Sequence, residues 1–334
     1  MHKLSIAVIG AGITGLWQAL TLARRGHRVR LIERSAVPFA DAASAYGGAM
    51  LAPFCETEPY APVICDLGLE SIRLWRQTFP GTVERGTLVV AGARDQREIE
   101  HFARLTEGYE RLDGNAIAKL EPDLEGRFPS GLFYAQEAHL VPRPAMEFLL
   151  QDAKRSGVQV SFDATWPAGR ESDETIIDCR GLGARSDLPD LRGVRGERVI
   201  VRTAEIDLGR PVRLQHPRQP IYVVPWADGL FMVGATVIES DNSGPISVRS
   251  ALELLGAAYA LHPAFGEAEI VEAGAGVRPA FSDNVPKIVV RGRTILVNGL
   301  YRHGFLLAPA LAVRVAEYLE SGAVDERVFI RETA

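Results

Sequence analysis

Apolar and polar residues alternate with two different periods in the first 33 residues. LSIAVIG is a short β-branched and apolar run that ends in glycine, and HRVRLIE alternates apolar with polar side chains, so both predict β-strands. Between them lies ITGLWQALTLARRG, in which apolar residues recur at helical spacing. This β-α-β unit predicts two parallel strands joined by a right-handed crossover.

Elements of both kinds continue along the chain. GTLVVAG, VQVSF and ETIIDC predict strands, while residues 95–107 and 143–157 predict helices, the second stopping at Gly157. IYVVPWADGLFMVGAT predicts an antiparallel hairpin around Ala227-Asp228-Gly229. Near the end, an apolar helix is predicted to begin near Pro309, because proline suits the first helical turn. Two sheets explain this mixture of parallel and antiparallel zones better than one.

Composition narrows the class of protein. The 334 residues are 47% hydrophobic and 24% charged, with a net charge of −5 and without a long run of one sign, so nucleic acid is not an expected partner. Apolar runs are far shorter than the roughly 18 residues that a membrane span needs. Three cysteines cannot build a disulfide framework, and the histidines show no close pair at metal-ligand spacing. We therefore expect a cytoplasmic protein without a membrane partner or a metal site.

The glycines at the first strand-helix junction form a phosphate-binding pattern. GAGITG, residues 10–15, reads G-x-G-x-x-G between the predicted strand and helix. Gly10 permits the tight turn, Gly12 lets the backbone approach a pyrophosphate, and Gly15 lets the helix pack closely on the strand. Glu33 ends the second strand, where a carboxylate accepts hydrogen bonds from a ribose. The pattern predicts a dinucleotide other than NADP, and by itself leaves FAD and NAD open.

A run of small residues after this unit favours FAD. In ADAASAYGGAML, Ala43 and Ser44 leave room for a ribityl chain, and Gly47 and Gly48 allow the backbone to approach a flat ring. The stretch is similar to the segment that passes under the flavin ring in the D-amino-acid oxidase superfamily. The alternative is a flexible surface loop, although apolar residues follow at once, beginning with Met50.

The resemblance to this superfamily covers nearly the whole chain and is closest to its glycine oxidases of thiamine biosynthesis. AGVRPAFSDNVPKI is similar to the family element R-P-x-x-x-D-x-x-P, and GLYRHGFLLAPALA resembles the closing flavin element. The predicted hairpin resembles one that carries a substrate-side tyrosine. Three features depart from glycine oxidases: Trp226 stands where arginine is usual, His303 where asparagine is common, and DCRGLGAR differs from the frequent GAWS form.

The resemblance implies an α/β fold of two interleaved domains. A Rossmann-like FAD-binding domain would comprise residues 1–54, 139–200 and 274–334. An α+β substrate domain, built on an antiparallel sheet, would comprise residues 55–138 and 201–273.

The resemblance also implies roles for particular residues. Arg278 would clamp a substrate carboxylate, Tyr222 would help position it, and Arg302 would be a second arginine facing the substrate. Together with the phosphate loop, the resemblance assigns noncovalent FAD to Gly10, Gly12, Ile13, Thr14, Gly15, Glu33, Arg34, Ala43, Ser44, Gly47, Gly48, Met50, Gly181, Tyr301, His303, Gly304, Phe305 and Leu306.

Several candidates also have ordinary structural explanations. Arg278 could form a surface salt bridge, Tyr222 could be a core aromatic in a strand, and Arg302 with His303 could be a solvated pair. Cys55 lacks a basic neighbour in sequence and is interpreted as a small packed residue, not as a flavin linkage.

The implied reaction is oxidation of the Cα–N bond of a small amino acid, with hydride passing to the flavin and O2 returning as H2O2. Glycine as substrate and a place in thiamine thiazole biosynthesis rest on the resemblance alone. Oxidases of D-amino acids or of N-methylglycine remain open, as do a dehydrogenase passing electrons to a quinone or partner protein and a flavoprotein that modifies a peptide. The expected partners are the amino acid and O2, and homo-oligomerisation is left open.

Overall fold

The computed structural model describes residues 3–56, 62–166, 174–217 and 220–331. These residues form the helices α1 (Ile13–Arg24), α2 (Pro62–Thr78), α3 (Gln96–Leu105), α4 (Gly114–Leu120), α5 (Pro142–Arg155), α6 (Val248–Leu261) and α7 (Gly304–Ser321). They also form the strands β1 (Ser5–Ile9), β2 (Arg28–Ile32), β3 (Met50–Leu51), β4 (Thr87–Ala91), β5 (Glu110–Asp113), β6 (Ser130–Tyr134), β7 (Ala138–His139), β8 (Gln159–Ser161), β9 (Thr175–Asp178), β10 (Arg192–Arg202), β11 (Val212–Gln215), β12 (Ile221–Pro225), β13 (Leu230–Gly234), β14 (Ile238–Glu239), β15 (Glu269–Ala280), β16 (Lys287–Arg291), β17 (Thr294–Asn298) and β18 (Phe329–Arg331).

The first sheet is the mainly parallel one that the N-terminal pattern predicts. Its strand order is β18-β16-β17-β9-β1-β2-β8, and β1 pairs with β2 in parallel so that Ile9 lies opposite Ile32. β16 runs antiparallel to β17. The apolar faces of α1, α5 and α7 bury the largest hydrophobic core of the described residues against this sheet. The carboxyl end of β1 therefore meets the start of α1, as a phosphate-binding loop requires.

The second sheet is mainly antiparallel and contains the predicted hairpin. Its order is β14-β10-β13-β12-β11-β4-β6-β5, and β15 pairs with β10 along nearly its whole length. One face packs on α6. On the other face Arg198 and Tyr222 lie opposite Gly234 from the two neighbouring strands. That face turns toward the run of small residues 43–48, here called the small-residue segment, because Arg198 Nη2 donates to the carbonyl oxygen of Ala45 at 3.2 Å.

A two-part α/β architecture with parallel and antiparallel sheets is thus confirmed, whereas the exact domain limits stay a prediction. β10 and β15 cross the predicted limits at residues 200 and 274, yet each lies wholly in the antiparallel sheet. The predicted ranges also include residues 1–2, 57–61, 167–173, 218–219 and 332–334, which lie outside the described residues.

The prediction that the last helix begins near Pro309 is wrong, because α7 begins at Gly304 and contains Pro309 in its second turn. Proline has no N–H to donate to the carbonyl of the residue four positions earlier, here Phe305. That carbonyl oxygen instead accepts a hydrogen bond from Trp75 Nε1 at 2.7 Å. A side chain on α2 therefore satisfies the group that proline leaves open, and the helix continues through it.

Candidate active site

The three glycines of the phosphate loop are required for different reasons. Gly10 has a φ of 95°, and a Cβ there would lie 2.7 Å from the carbonyl oxygen of Cys179. A Cβ on Gly15 would lie 1.8 Å from the carbonyl oxygen of Gly10. Gly12, the N-cap of α1, would place its Cβ no closer than 3.6 Å to Ser44 Oγ. The fold itself thus requires glycine at positions 10 and 15, whereas at Gly12 it leaves space that a ligand can approach.

Polar groups and two helix N-termini converge around this loop. Glu33 Oε2 accepts from the backbone N–H of Ala11 at 2.7 Å, and Ser44 Oγ accepts from the N–H of Ile13 at 3.2 Å. Gly304, the first residue of α7, lies next to Ile13, since a Cβ on Gly304 would be 3.5 Å from Ile13 Cγ2. The positive ends of α1 and α7 therefore lie near each other, which suits an anionic ligand spanning both.

The small-residue segment leads from the phosphate loop to the antiparallel sheet. Residues 43–46 form a single 3₁₀ turn, and Gly47 and Gly48 follow. A Cβ on Gly48 would lie 2.3 Å from Met232 Cε and 2.9 Å from Tyr222 Cε2. The absence of side chains at this point lets the segment lie directly against the face of the sheet that carries Tyr222.

A small cavity of about 40 Å³ lies where this segment, the sheet and the start of α7 meet. Side chains predicted for the flavin and side chains predicted for the substrate share its wall. Its lining residues are Gly47, Gly48, Ala49, Met50, Ala52, Glu56, Tyr222, Arg302, His303, Phe305 and Leu306. The structure thus brings the predicted substrate side and flavin side together at one place.

Arg278 lies on β15, half-buried, with its guanidinium packed over the backbone of Gly196 and near Tyr222 and Arg302 of the cavity wall. Its Nη1 donates to the carbonyl oxygen of Thr236 at 3.2 Å. Among the described residues, no carboxylate forms an ion pair with it, so the surface salt bridge that the sequence left open is not seen. Burial lowers the pKa of Arg278, Tyr222 counteracts this shift, and the charge of Arg302 adds to it.

Arg302 lines the cavity, and Glu56 pairs with two of its three guanidinium nitrogens. Arg302 Nε donates to Glu56 Oε2 at 2.6 Å, and Arg302 Nη2 also contacts that oxygen. The other carboxylate oxygen of Glu56 accepts from Arg213 Nη1. Arg302 and His303 are therefore not a solvated pair. A protein carboxylate stands at the Arg302 guanidinium, and direct contact of Arg302 with a substrate stays a prediction.

The titration of these groups follows from burial and mutual charge. Burial would raise the pKa of Glu56, but the guanidiniums of Arg302 and Arg213 outweigh it and hold the pKa below its ordinary value. Burial lowers the pKa of His303 to about 3, with a further contribution from Arg302. Burial likewise raises the pKa of Tyr222. At neutral pH the cavity wall therefore carries the ionised carboxylate of Glu56, the charged guanidinium of Arg302, a neutral imidazole and a neutral phenol.

A second buried carboxylate, Glu137, fixes the backbone that leads to Glu56. Its Oε1 accepts from the N–H of Phe54 at 2.9 Å and from the N–H of Cys55 at 2.7 Å. Burial raises the pKa of Glu137 to about 7. The chain on either side of these amides is thereby held where Glu56 can reach both arginines.

A comparison with known proteins identifies the family. The family model described as FAD dependent oxidoreductase matches residues 5–318. The chain belongs to this family. It is 51% identical over 325 residues, covering 96% of this chain and 99% of the other, to a Rhizobium etli protein whose assignment as the thiamine biosynthesis oxidoreductase ThiO is itself provisional. It is 25% identical over 358 residues to the glycine oxidase of Geobacillus kaustophilus, covering 96% of this chain and 93% of that protein.

Solved structures show the same fold. The glycine oxidase of Bacillus cereus superposes with a TM-score of 0.84 at 23% identity, with 97% of each chain covered. This FAD-dependent oxidoreductase therefore has the Rossmann-like FAD domain and the antiparallel substrate domain that its sequence predicts.

The described residues fit FAD. The open side of Gly12 and the converging N-termini of α1 and α7 suit the pyrophosphate. Glu33 retains lone pairs for a ribose after accepting from the amides of Ala11 and Ser35. Gly47, Gly48 and Phe305, predicted to lie against the ring, line the same cavity. The assignment of individual residues to the flavin remains a prediction.

The predicted flavin residues outside the cavity wall include Tyr301, Arg34 and Gly181. Tyr301 packs against Val194 and Ala280, Arg34 is exposed and pairs with Asp41 at 3.6 Å, and the Gly181 carbonyl oxygen accepts from Asn298 Nδ2 at 2.9 Å. Gly181 follows β9, at the same edge of the sheet as the phosphate loop.

Sequence reasoning missed Glu56, Arg213 and Glu137. The one local signal was that Glu56 directly follows the apolar run after Gly48. An acidic residue next to an apolar run is common on ordinary protein surfaces. Among the described residues, no cluster of three or more His, Cys, Asp or Glu side chains could hold a metal ion. No helix in the described ranges is long and apolar enough to cross a membrane.

Proposed function

We propose that this enzyme oxidises the Cα–N bond of a small amino acid at the expense of O2, with glycine as the principal substrate. The observation that carries the proposal is the half-buried guanidinium of Arg278, which has no carboxylate partner among the described residues and lies near Tyr222 of the cavity wall. A guanidinium in this setting binds a carboxylate in a charge-assisted fork.

The chain's own residues orient the substrate and exclude water. Arg278 would hold the substrate carboxylate, and the Tyr222 hydroxyl, neutral because burial raises its pKa, would donate to it. FAD, when bound, accepts the hydride and passes the electrons to O2.

The similarity to the Rhizobium etli protein over almost the full length of both chains supports a place in thiamine biosynthesis, in which the imine product of glycine would be consumed. Glycine oxidase activity in the Geobacillus kaustophilus relative supports the same substrate class.

Two measurements test the proposal. Acid precipitation of the purified yellow protein should release FAD into the supernatant, and a flavin that stays with the pellet would contradict noncovalent binding. O2 consumption and H2O2 formation should follow addition of glycine, with weaker responses to sarcosine and D-alanine. An FAD-loaded protein that consumes no O2 with any of the three amino acids, but reduces a quinone analogue, would replace the oxidase by a dehydrogenase.

A further inference from the structure

Glu56 differs from the other carboxylates near the cavity because both of its oxygens are held by arginines. Its side chain is 9% exposed, and its partners Arg302 and Arg213 are 23% and 12% exposed. The three residues come from distant parts of the chain, so the cluster exists only in the folded protein. Ionic groups this poorly solvated are stable only when paired, and removing one partner leaves the others uncompensated.

Arg213 is itself fixed in place. It lies on β11, its Nη1 also donates to the carbonyl oxygen of Cys55 at 3.2 Å, and its guanidinium lies 5.2 Å from the centre of the Phe102 ring. On the other side of the carboxylate, the amides of Phe54 and Cys55 are fixed by Glu137. Glu56 is therefore presented to the arginines by a supported backbone and not by a freely moving side chain.

The arginines around the cavity thus divide into two classes. Arg278 donates to a backbone carbonyl and has no carboxylate partner among the described residues. Arg302 and Arg213 are both engaged by one carboxylate. A substrate with one carboxylate needs Arg278 only, whereas a second carboxylate reaching Arg302 would have to displace Glu56 or lie against its negative charge.

We propose that Glu56 occupies the position at Arg302 that a second carboxylate of a substrate would otherwise take. Glu56 thereby restricts the site to monocarboxylic amino acids. This inference rests on the proposed function for the identity of the substrate. Glu56 acts here as a specificity-determining residue, and it carries no step of the chemistry.

Binding of carboxylates to the oxidised holoenzyme tests the inference without turnover. Titrating the flavin absorbance with acetate and with succinate gives the affinity for one and for two carboxylates. We expect the wild type to bind acetate more tightly. Glu56→Gln keeps the shape of the side chain and removes its charge. It should raise the affinity for succinate relative to acetate at least tenfold, and a tenfold change corresponds to about 1.4 kcal/mol of binding free energy. In turnover, the ratio of kcat/KM for iminodiacetate to that for glycine should rise by a similar factor.

Glu70→Gln is the matched control. Glu70 pairs with Arg314 Nη2 at 2.6 Å between α2 and α7 and does not line the cavity. The Glu70→Gln variant should leave the ratio of the succinate and acetate affinities unchanged. Glu56→Gln could lose FAD because two guanidiniums are left unpaired. In that case the double variant Glu56→Gln/Arg213→Gln removes one of these guanidiniums and should show the same shift of the affinity ratio toward succinate.

Succinate binding as tight as acetate in the wild type overturns the inference, and so does an unchanged ratio in an FAD-loaded variant. An enzyme that oxidises no amino acid would refute the proposed function instead, and the carboxylate titration would still decide the role of Glu56.

Discussion

Gly196 allows the guanidinium of Arg278 to be displaced without changing Arg278 itself. A Cβ at Gly196 would lie 1.9 Å from Arg278 Nη2 and 2.6 Å from Nη1. Non-bonded heavy atoms are most stable at about 3.5–4.0 Å, so the guanidinium must move by more than about 1 Å. The displaced atoms are the far end of a flexible side chain, so we expect Gly196→Ala to fold.

The expected cost falls on substrate positioning. A misplacement of about 1 Å can cost about 100-fold in rate, so kcat/KM for glycine should fall by about that factor, or about 2.7 kcal/mol. Arg278→Ala removes the charge-assisted pair altogether, which is worth roughly 2–5 kcal/mol, and should lower kcat/KM by about 30- to several-thousand-fold. Arg278→Lys should restore only part of this, because an ammonium cannot reproduce the planar fork.

The assay is steady-state O2 consumption, with flavin absorbance and Tm recorded for each variant. Gly193→Ala is a control on the same strand, since its Cβ would meet the Asp241 carboxylate and Val277 Cγ1 and would not meet the Arg278 guanidinium. In the Arg278→Ala background, Gly196→Ala should have little further effect. An FAD-loaded Gly196→Ala enzyme with wild-type kcat/KM would refute the packing argument, and an unaffected Arg278→Ala would remove Arg278 from the site.

Three further perturbations address the cofactor and its supports. Gly12→Ala should fold but purify with little FAD, whereas Gly15→Ala should fail to fold because its Cβ would lie 1.8 Å from a backbone oxygen; full FAD content in Gly12→Ala would refute the loop assignment. The pKa of Glu137 is raised from an ordinary 4.5 to about 7, so the folded protein binds this proton more tightly than the unfolded chain does. The resulting contribution to the free energy of unfolding is fully present below about pH 4.5 and is lost as the pH rises to about 7. The Tm of Glu137→Gln relative to wild type should therefore rise between about pH 5 and pH 8, and a constant difference would contradict this. Arg198→Met, which removes the hydrogen bond to the Ala45 carbonyl, should weaken FAD binding measured by flavin fluorescence, and an unchanged affinity would show that this contact does not position the segment.

Features that depend on neighbours along the chain were predictable from the sequence alone. Residues 5–33 contain strand, glycine loop, helix and second strand in immediate succession, so local periodicity and glycine placement were enough. The hairpin is equally local, because Asp228 and Gly229 both adopt the positive φ that such a turn needs. Family resemblance then supplied FAD and the candidate residues, which local patterns alone left open.

Tertiary structure decided what depends on distant residues. Glu56 and Arg302 are 246 positions apart, and no local pattern shows that their charges neutralise each other. The start of α7 was misjudged for the same reason. Pro309 is a local signal, but the Trp75 indole that donates to the carbonyl oxygen of Phe305 lies 230 positions away in sequence. Burial explains both cases, because an unpaired charge or carbonyl is tolerated in water but must find a partner in the interior, and the fold chooses which one.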